Sequence, residues 1–250
     1  MRSPHELLFD RTRLRRSHAV FPLTGYPPSR IPAWNGVEVR ILAAPAIGAE
    51  FAQYHVAAAA GGAISPPGVS GEEWFWYVLS GGARLTVAGQ DHDLAAAGYC
   101  YLPPAAGWRL QTAAPAVLLG LKKLYQAAPG ISPPPALVGN ANKVAAVAFH
   151  GDNGALLQTL LPDELPFDLA MNIFEFQPGR GLPMIETHVM EHGLYFLQGK
   201  GMYYLDGEWL ETQADDFIWM APFCPQSFYA TGQAPAKYLY YKNVNRDIAL

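Results

Sequence analysis

The chain has 250 residues, 50% hydrophobic and 15% charged, with a net charge of -4 and a pI near 6.0, which allows one large or two small globular domains. That balance excludes a basic nucleic-acid-binding surface. No apolar run is long enough to span a bilayer, and the two cysteines, Cys100 and Cys224, exclude a disulfide framework.

The opening stretch, M-R-S-P-H-E-L-L-F-D-R-T-R-L-R-R, lacks the apolar core of a secretion signal, so a cytoplasmic protein is expected. Its arginines, Arg11, Arg13, Arg15 and Arg16, read as a solvated or salt-bridged face. Polar and proline-rich stretches continue to about Asn35 and predict a segment that wraps over a barrel rather than forming one. From Val37 the pattern changes to short apolar runs: V-E-V-R-I-L-A-A, then F-A-Q-Y-H-V-A-A-A-A, then F-W-Y-V-L-S-G-G-A-R-L-T-V, where Leu85 and Val87 share a face. A turn, A-G-Q-D, leads into A-A-A-G-Y-C-Y-L-P-P-A-A-G-W-R-L. With 22 prolines and 24 glycines, this is a composition of many short strands joined by turns.

The same order recurs. Y-V-L-S-G-G-A-R-L-T-V from Tyr77 matches Y-F-L-Q-G-K-G-M-Y-Y-L from Tyr195, an offset of 195 − 77 = 118, and Pro104 matches Pro222 at 222 − 104 = 118. Equal offsets mean two copies of one unit with no net insertion between those points. The connector 126–142, stiffened by Pro133, Pro134 and Pro135, divides the chain into 1–142 and 143–250. The expected fold is all-β, two tandem antiparallel jelly-roll barrels.

The second copy carries the chemistry, in G-L-P-M-I-E-T-H-V-M-E-H-G-L-Y-F-L-Q-G. Glu186, His188 and His192, with Gln226 further on, mix two imidazoles with a carboxylate, the ligand set of a divalent transition metal. Glu186 and His188 would leave one face of an extended strand, whereas a helix with roughly 3.6 residues per turn would separate them. His188 and His192 could share a helical face, as in H-E-x-x-H zinc proteases, but Gly193, Gly199, Gly201 and the aromatics favour strands. The spacing G-x4-E-x-H-x3-H-x6-G resembles the first motif of the cupin barrels, H-x-H-x3,4-E-x6-G, with the ligand types permuted. Isolated histidines in apolar strands are more often satisfied by hydrogen bonds than by metal. A third ligand at the right offset, framed by glycines, favours the metal. Subtracting 118 from the four ligands gives Gly68, Ser70, Trp74 and Trp108, none a usual ligand, so the first barrel is expected to have lost its metal and to serve packing and oligomerisation. Glu72 and Glu73 lie beside this degenerate motif, and a role for them is left open. His5, His18, His55, His92 and His150 lack partner spacing.

Nitrogen and oxygen ligands without thiolate suit Mn²⁺, Fe²⁺, Ni²⁺ or Zn²⁺, and the hard amide oxygen of Gln226 tilts the choice to Mn²⁺. Four protein ligands leave two cis positions on an octahedral ion for a chelating substrate. Cys224 is a weaker ligand candidate because Pro225 intervenes. In the last strand Tyr238, Tyr240 and Lys242 share a face. If that face looks into the barrel, Lys242 needs an anionic partner, and a substrate carboxylate is the obvious one. The other reading puts Lys242 at the rim, bridged to Asp216 or solvated. Tyr203, read as part of the same sheet region, is a further candidate for lining the cavity. Trp219 and Met220 read as core.

Three segments together, E-x-H-x-x-x-H-G-L-Y-F-L-Q-G-x-G, D-x-I-W-M-A-P-F-x-P-Q and Y-L-x-Y-K-x-V-N-R, resemble the (S)-ureidoglycine aminohydrolases, bicupin enzymes of purine and allantoin degradation. The resemblance covers most of the second barrel and, through F-W-Y-V-L-S-G, part of the first. It implies a manganese ion held by Glu186, His188, His192 and Gln226. It also implies substrate contacts from Glu186, Gln226, Tyr238, Lys242 and Tyr203, with Glu186 and Lys242 acting in catalysis. The implied reaction converts (S)-ureidoglycine and water to (S)-ureidoglycolate and ammonia, in an enzyme expected to form a homo-oligomer. Another metal-dependent cupin enzyme, a dioxygenase or isomerase, and a non-enzymatic ligand-binding bicupin are the competing readings.

Overall fold

Alternating apolar residues become strands wherever one face can be buried, and a computed structural model describes the result for residues 11–69 and 71–247. Apart from three single-turn 3-10 segments, the regular elements among the described residues are strands. They form two compact units. One comprises the described residues up to Pro27 with Ala146–Gln158 and Met171–Asn243; the other comprises Pro28–Ala145, Thr159–Ala170 and the described residues from Val244. Each unit takes segments from both halves of the sequence.

The N-terminal barrel is one nine-stranded sheet. Its long strand Phe51–Ile64 pairs along most of its length with Asn35–Ala43 and Ala116–Leu124. At its far end it pairs with Trp108–Gln111, so the sheet curls back on itself. Ala88 and Gly89 take positive φ of 50° and 74° at the tight turn between Gly82–Val87 and Gln90–Ala95, and Leu85 and Val87 fall in the core as their parity requires.

The C-terminal barrel has an eight-stranded sheet and a three-stranded sheet. Strand His192–Gln198 is central in the larger one, between Asp216–Met220 and Ala236–Asn243. The smaller one places Lys200–Leu205 between Glu208–Gln213 and Gln226–Ala230. The arginine-rich segment does not wrap over this barrel as expected. Its residues Arg13–Leu14 and His18–Pro22 extend the large sheet, His18–Pro22 pairing with Asp216–Met220. That pairing covers an edge which would otherwise expose a row of unpaired backbone groups, and it seats Val20 in the core. The Arg11 guanidinium grips both carboxylate oxygens of the buried Asp216.

Strand register repeats as the sequence does. Trp74 faces Leu102 and His192 faces Met220, with 192 − 74 = 118 and 220 − 102 = 118. Val87 faces Trp108 and Leu205 faces Gln226, again with 226 − 108 = 118. The last strand breaks the offset: Trp74 faces Lys122 and His192 faces Lys242, with 242 − 122 = 120. Two extra residues therefore enter before the final strand, and the structural counterpart of Lys242 is Lys122.

Candidate metal centre

The motif is not one continuous strand. Isolated bridges pair Gly181 with Tyr229 and Glu186 with Gln226, so five steps of chain lie opposite three. The surplus bulges outward around Pro183, which has no N–H to give a ladder, leaving Met184 and Ile185 exposed. Glu186 and Gln226 exchange both backbone hydrogen bonds, at 2.8 and 2.9 Å, and directly opposed residues of such a pair project from the same face. The chain then leaves the ladder as a loop, pinned where Phe223 N–H donates to the His188 carbonyl at 2.7 Å. It rejoins the sheet at His192, between Met220 and Lys242.

Three side chains converge. His188 Nε2 lies 3.1 Å from His192 Nε2 and 3.1 Å from the Gln226 amide. His192 Nδ1 donates to the Tyr241 carbonyl at 3.1 Å, which fixes its tautomer and turns a bare Nε2 lone pair towards His188. Burial, and then the neighbouring His188, drive the His192 pKa down to about 3, so the ring is neutral and free to ligate. Burial lowers the pKa of His188 as well. Cis ligands about 2.1–2.2 Å from an octahedral ion stand about 3.0 Å apart, so these atoms already hold the spacing of a coordination shell. The Gln226 amide can present oxygen to that point by a half-turn, since its O and N occupy equivalent positions. The donor set fits a divalent transition ion.

Among the described residues no three His, Cys, Asp or Glu side chains gather as a metal cluster. The structure thus draws His188, His192 and Gln226 together and leaves the Glu186 carboxylate on the same face but outside the group. Its charge still acts on His188, Tyr203, Tyr238 and Tyr240. Cys224 is buried, and burial pushes its thiol up to about 12.

Tyr203 belongs to the three-stranded sheet, not to the sheet of Tyr238, yet both are buried in one aromatic core with Phe228, Phe176 and Phe196. Tyr238 hydrogen-bonds to Tyr203, whose hydroxyl in turn lies 3.5 Å from the Gln226 amide. Burial raises the pKa of Tyr203, Tyr238 and Tyr240, so all three stay protonated and act as hydrogen-bonding groups. Lys242 is half-buried opposite His192, and its charge bears on both histidines. No ion pair of Lys242 occurs among the described residues; Asp216, the expected alternative partner, is held by Arg11.

Comparison with known proteins gives the family. The Cupin domain family matches residues 172–241. The (S)-ureidoglycine aminohydrolase of Escherichia coli K12 is 33% identical over 98% of this chain and 95% of its own length. That of Arabidopsis thaliana is 31% identical over 96% of this chain and 80% of its own. The chain belongs to the (S)-ureidoglycine aminohydrolase family. Two solved structures are similar throughout: the E. coli protein YlbA (TM-score 0.87, 30% identity, all of both chains) and a glyoxylate-induced protein of Pseudomonas aeruginosa (TM-score 0.89, 32% identity, 98% of this chain and 94% of that one). Bacillus subtilis oxalate decarboxylase shares the fold at TM-score 0.69 with 14% identity, over 92% of this chain and 78% of its own.

In this aminohydrolase chain two of the matching positions in the N-terminal barrel are filled by tryptophan. Trp74 and Trp108, counterparts of His192 and Gln226, pack edge-to-face at 5.3 Å, with Trp76, Trp34 and Tyr54 around them. The counterpart of His188, Ser70, lies outside the described residues. Lys122 sits over the Trp74 ring and bonds Glu72 at 2.5 Å. At the position matching Glu72 the C-terminal barrel has Met190 (190 − 72 = 118), so its lysine lacks the acid that neutralises Lys122. Glu73 is a different case: it is fully buried on the opposite face, taking a 2.7 Å bond from Tyr101 and facing Lys123 at 3.4 Å.

Two residues escaped the sequence reading. Glu191 is buried, with Trp219 Nε1 at 3.3 Å and the Tyr241 hydroxyl at 3.4 Å from its carboxylate. Its parity, opposite to that of its neighbour His192, was the available signal that it faces away from the metal. The other is Asn172, buried on the inner face of Leu169–Phe176.

Proposed function

We propose that the protein hydrolyses (S)-ureidoglycine to (S)-ureidoglycolate and ammonia, with Mn²⁺ held by Glu186, His188, His192 and Gln226, in the cytoplasmic breakdown of purines through allantoin. The observation that carries this reading is the convergence of His192 and the Gln226 amide on His188 Nε2, each at 3.1 Å, near a half-buried lysine that forms no ion pair among the described residues.

The bond to the amine at the substrate's α-carbon breaks and a bond to a water oxygen forms there, so nitrogen must gain a proton and water must lose one. A divalent ion in the site supplies a chelation point for the substrate and polarises the groups it holds. Lys242 anchors the carboxylate, and Tyr238 with Tyr203 donates to oxygen on the same side. With the carboxylate and the ureido oxygen held and the amine turned to the group that protonates it, three substituents of the stereocentre are constrained, which selects one enantiomer. The tyrosines hold their protons too tightly to act as bases, which leaves Glu186 as the group that carries the proton between water and the leaving amine.

The test generates ureidoglycine in situ, adds manganese-loaded protein, and resolves the ureidoglycolate formed by chirality. The reading requires a single enantiomer at a rate above spontaneous decay. Racemic product at the background rate would sink it. Ammonia alone does not decide, because the substrate decays unaided.

A further inference from the structure

The inner face of strand Leu169–Phe176 is apolar except at one position. Phe174 and Phe176 enter the core of the C-terminal barrel, and Asn172, two residues earlier, shares their side. Asn172 is 5% exposed. Its amide N–H donates to the Tyr240 hydroxyl, and the Tyr240 ring stands 5.7 Å from that of His192. With the amide so oriented, Asn172 Oδ1 is buried and has no hydrogen-bond partner. An unpaired amide oxygen in such surroundings has lost its hydration without a replacement, a penalty that natural cores avoid unless something else completes the bond.

We propose that Asn172 is a specificity-determining residue whose Oδ1 accepts a hydrogen bond from an N–H of the substrate's ureido group; this rests on the reading of function above. A bare carbonyl oxygen repels a carboxylate and attracts an N–H, whereas Lys242 does the reverse. The two residues lie on adjacent strands, Leu169–Phe176 and Ala236–Asn243; Asn172 is hydrogen-bonded to Tyr240, and Lys242 follows Tyr240 by two residues on the same strand. Together they orient a molecule with a carboxylate at one end and a ureido group at the other, and they discriminate against small acids that lack N–H donors. A site built to bond an N–H rejects analogues without it, because its own polar atom is then left unpaired.

The experiment measures binding of two probes to manganese-loaded protein by calorimetry: (S)-ureidoglycolate, and glycolate, which keeps the hydroxyacid and lacks the ureido group. Wild-type protein should prefer ureidoglycolate. Asn172→Leu, close in volume and apolar, should reduce that preference by about 10- to 100-fold while glycolate affinity stays within about twofold. Asn172→Ala serves if the leucine variant does not fold, with near-ultraviolet circular dichroism as the check. An unchanged preference, or equal loss for both probes, overturns the assignment. Wild-type protein that binds both probes but releases no chiral ureidoglycolate refutes the proposed reaction instead, so the two failures are told apart.

Discussion

Met190→Glu should weaken substrate binding without replacing a candidate ligand. In the N-terminal barrel Glu72 holds Lys122 at 2.5 Å, and the C-terminal barrel has Met190 where that acid stands. A carboxylate introduced at Met190 would reach Lys242 as Glu72 reaches its counterpart. Two unit charges about 4 Å apart at an effective dielectric of about 20 attract by about 4 kcal/mol, and the half-exposed position of Lys242 cuts this to about 1–2 kcal/mol after solvent screening. A substrate carboxylate competing for that lysine loses the same amount, so KM should rise about 5- to 30-fold. The uncharged Met190→Gln should stay within about twofold of wild type. Steady-state kinetics on ureidoglycine generated in situ, with manganese content measured in each preparation, reads the result. Equal losses in the glutamine and glutamate variants would make the effect steric, and no loss in either would mean that Lys242 does not anchor the carboxylate.

Other consequences follow from the same geometry. Stripping the metal with a chelator should abolish turnover and lower the melting temperature, and restored Mn²⁺ should raise it as its concentration exceeds the dissociation constant; His192→Ala should show neither effect of added metal in a thermal melt. Trp108→Ala, in the plugged barrel, should cost about 3–5 kcal/mol in urea denaturation while kcat per folded molecule is unchanged. Glu73 gives a pH signature opposite to that of an ordinary paired carboxylate. Burial first, then Asp168, raise its pKa to about 8, against Lys123 and Tyr101, which favour the charged form. The folded state therefore keeps a proton that the unfolded chain loses at the usual carboxylate pKa. Stability from this group is full below that value and falls as pH rises towards about 8. Glu73→Gln should flatten the stability curve over that window, and an unchanged slope would mean the proton resides elsewhere.

The repeat was legible because it depends on spacing that strand pairing preserves: the offset of 118 seen in letters reappears as matched partners such as Trp74–Leu102 and His192–Met220. What the letters hid lies where spacing fails. Two extra residues before the last strand shift its offset to 120, so subtracting 118 never linked Lys122 to Lys242. The bulge at 183–185 breaks the strand expected through Glu186 and His188, for which Pro183 was the local warning. The role of His18–Pro22 as an added strand is non-local: five apolar-leaning residues take their partner, Asp216–Met220, from near the other end of the chain.

The two barrels show what separates a scaffold from a site. Their outer faces kept the same device: Glu73 receives a bond from Tyr101, and Glu191, 118 residues later, receives one from Trp219. Their inner faces diverged at the positions of Trp74 and His192, Trp108 and Gln226, and Glu72 and Met190. In each pair the N-terminal member fills space or cancels charge, and the C-terminal member leaves a lone pair or a cation for an external group. Tryptophan in place of a ligand adds buried area worth roughly 2–3 kcal/mol or more, whereas a neutral buried histidine and an amide must find partners to avoid a penalty of similar size. The N-terminal barrel is therefore expected to be the more stable of the two, and the C-terminal barrel to recover its deficit when metal and substrate complete its bonds. Protection from hydrogen exchange in 186–192 and 223–226 should accordingly rise when Mn²⁺ is added to the metal-free protein, while the Trp74–Trp108 region stays unchanged. Uniform protection before and after metal would mean that the two interiors do not differ in the way their side chains indicate.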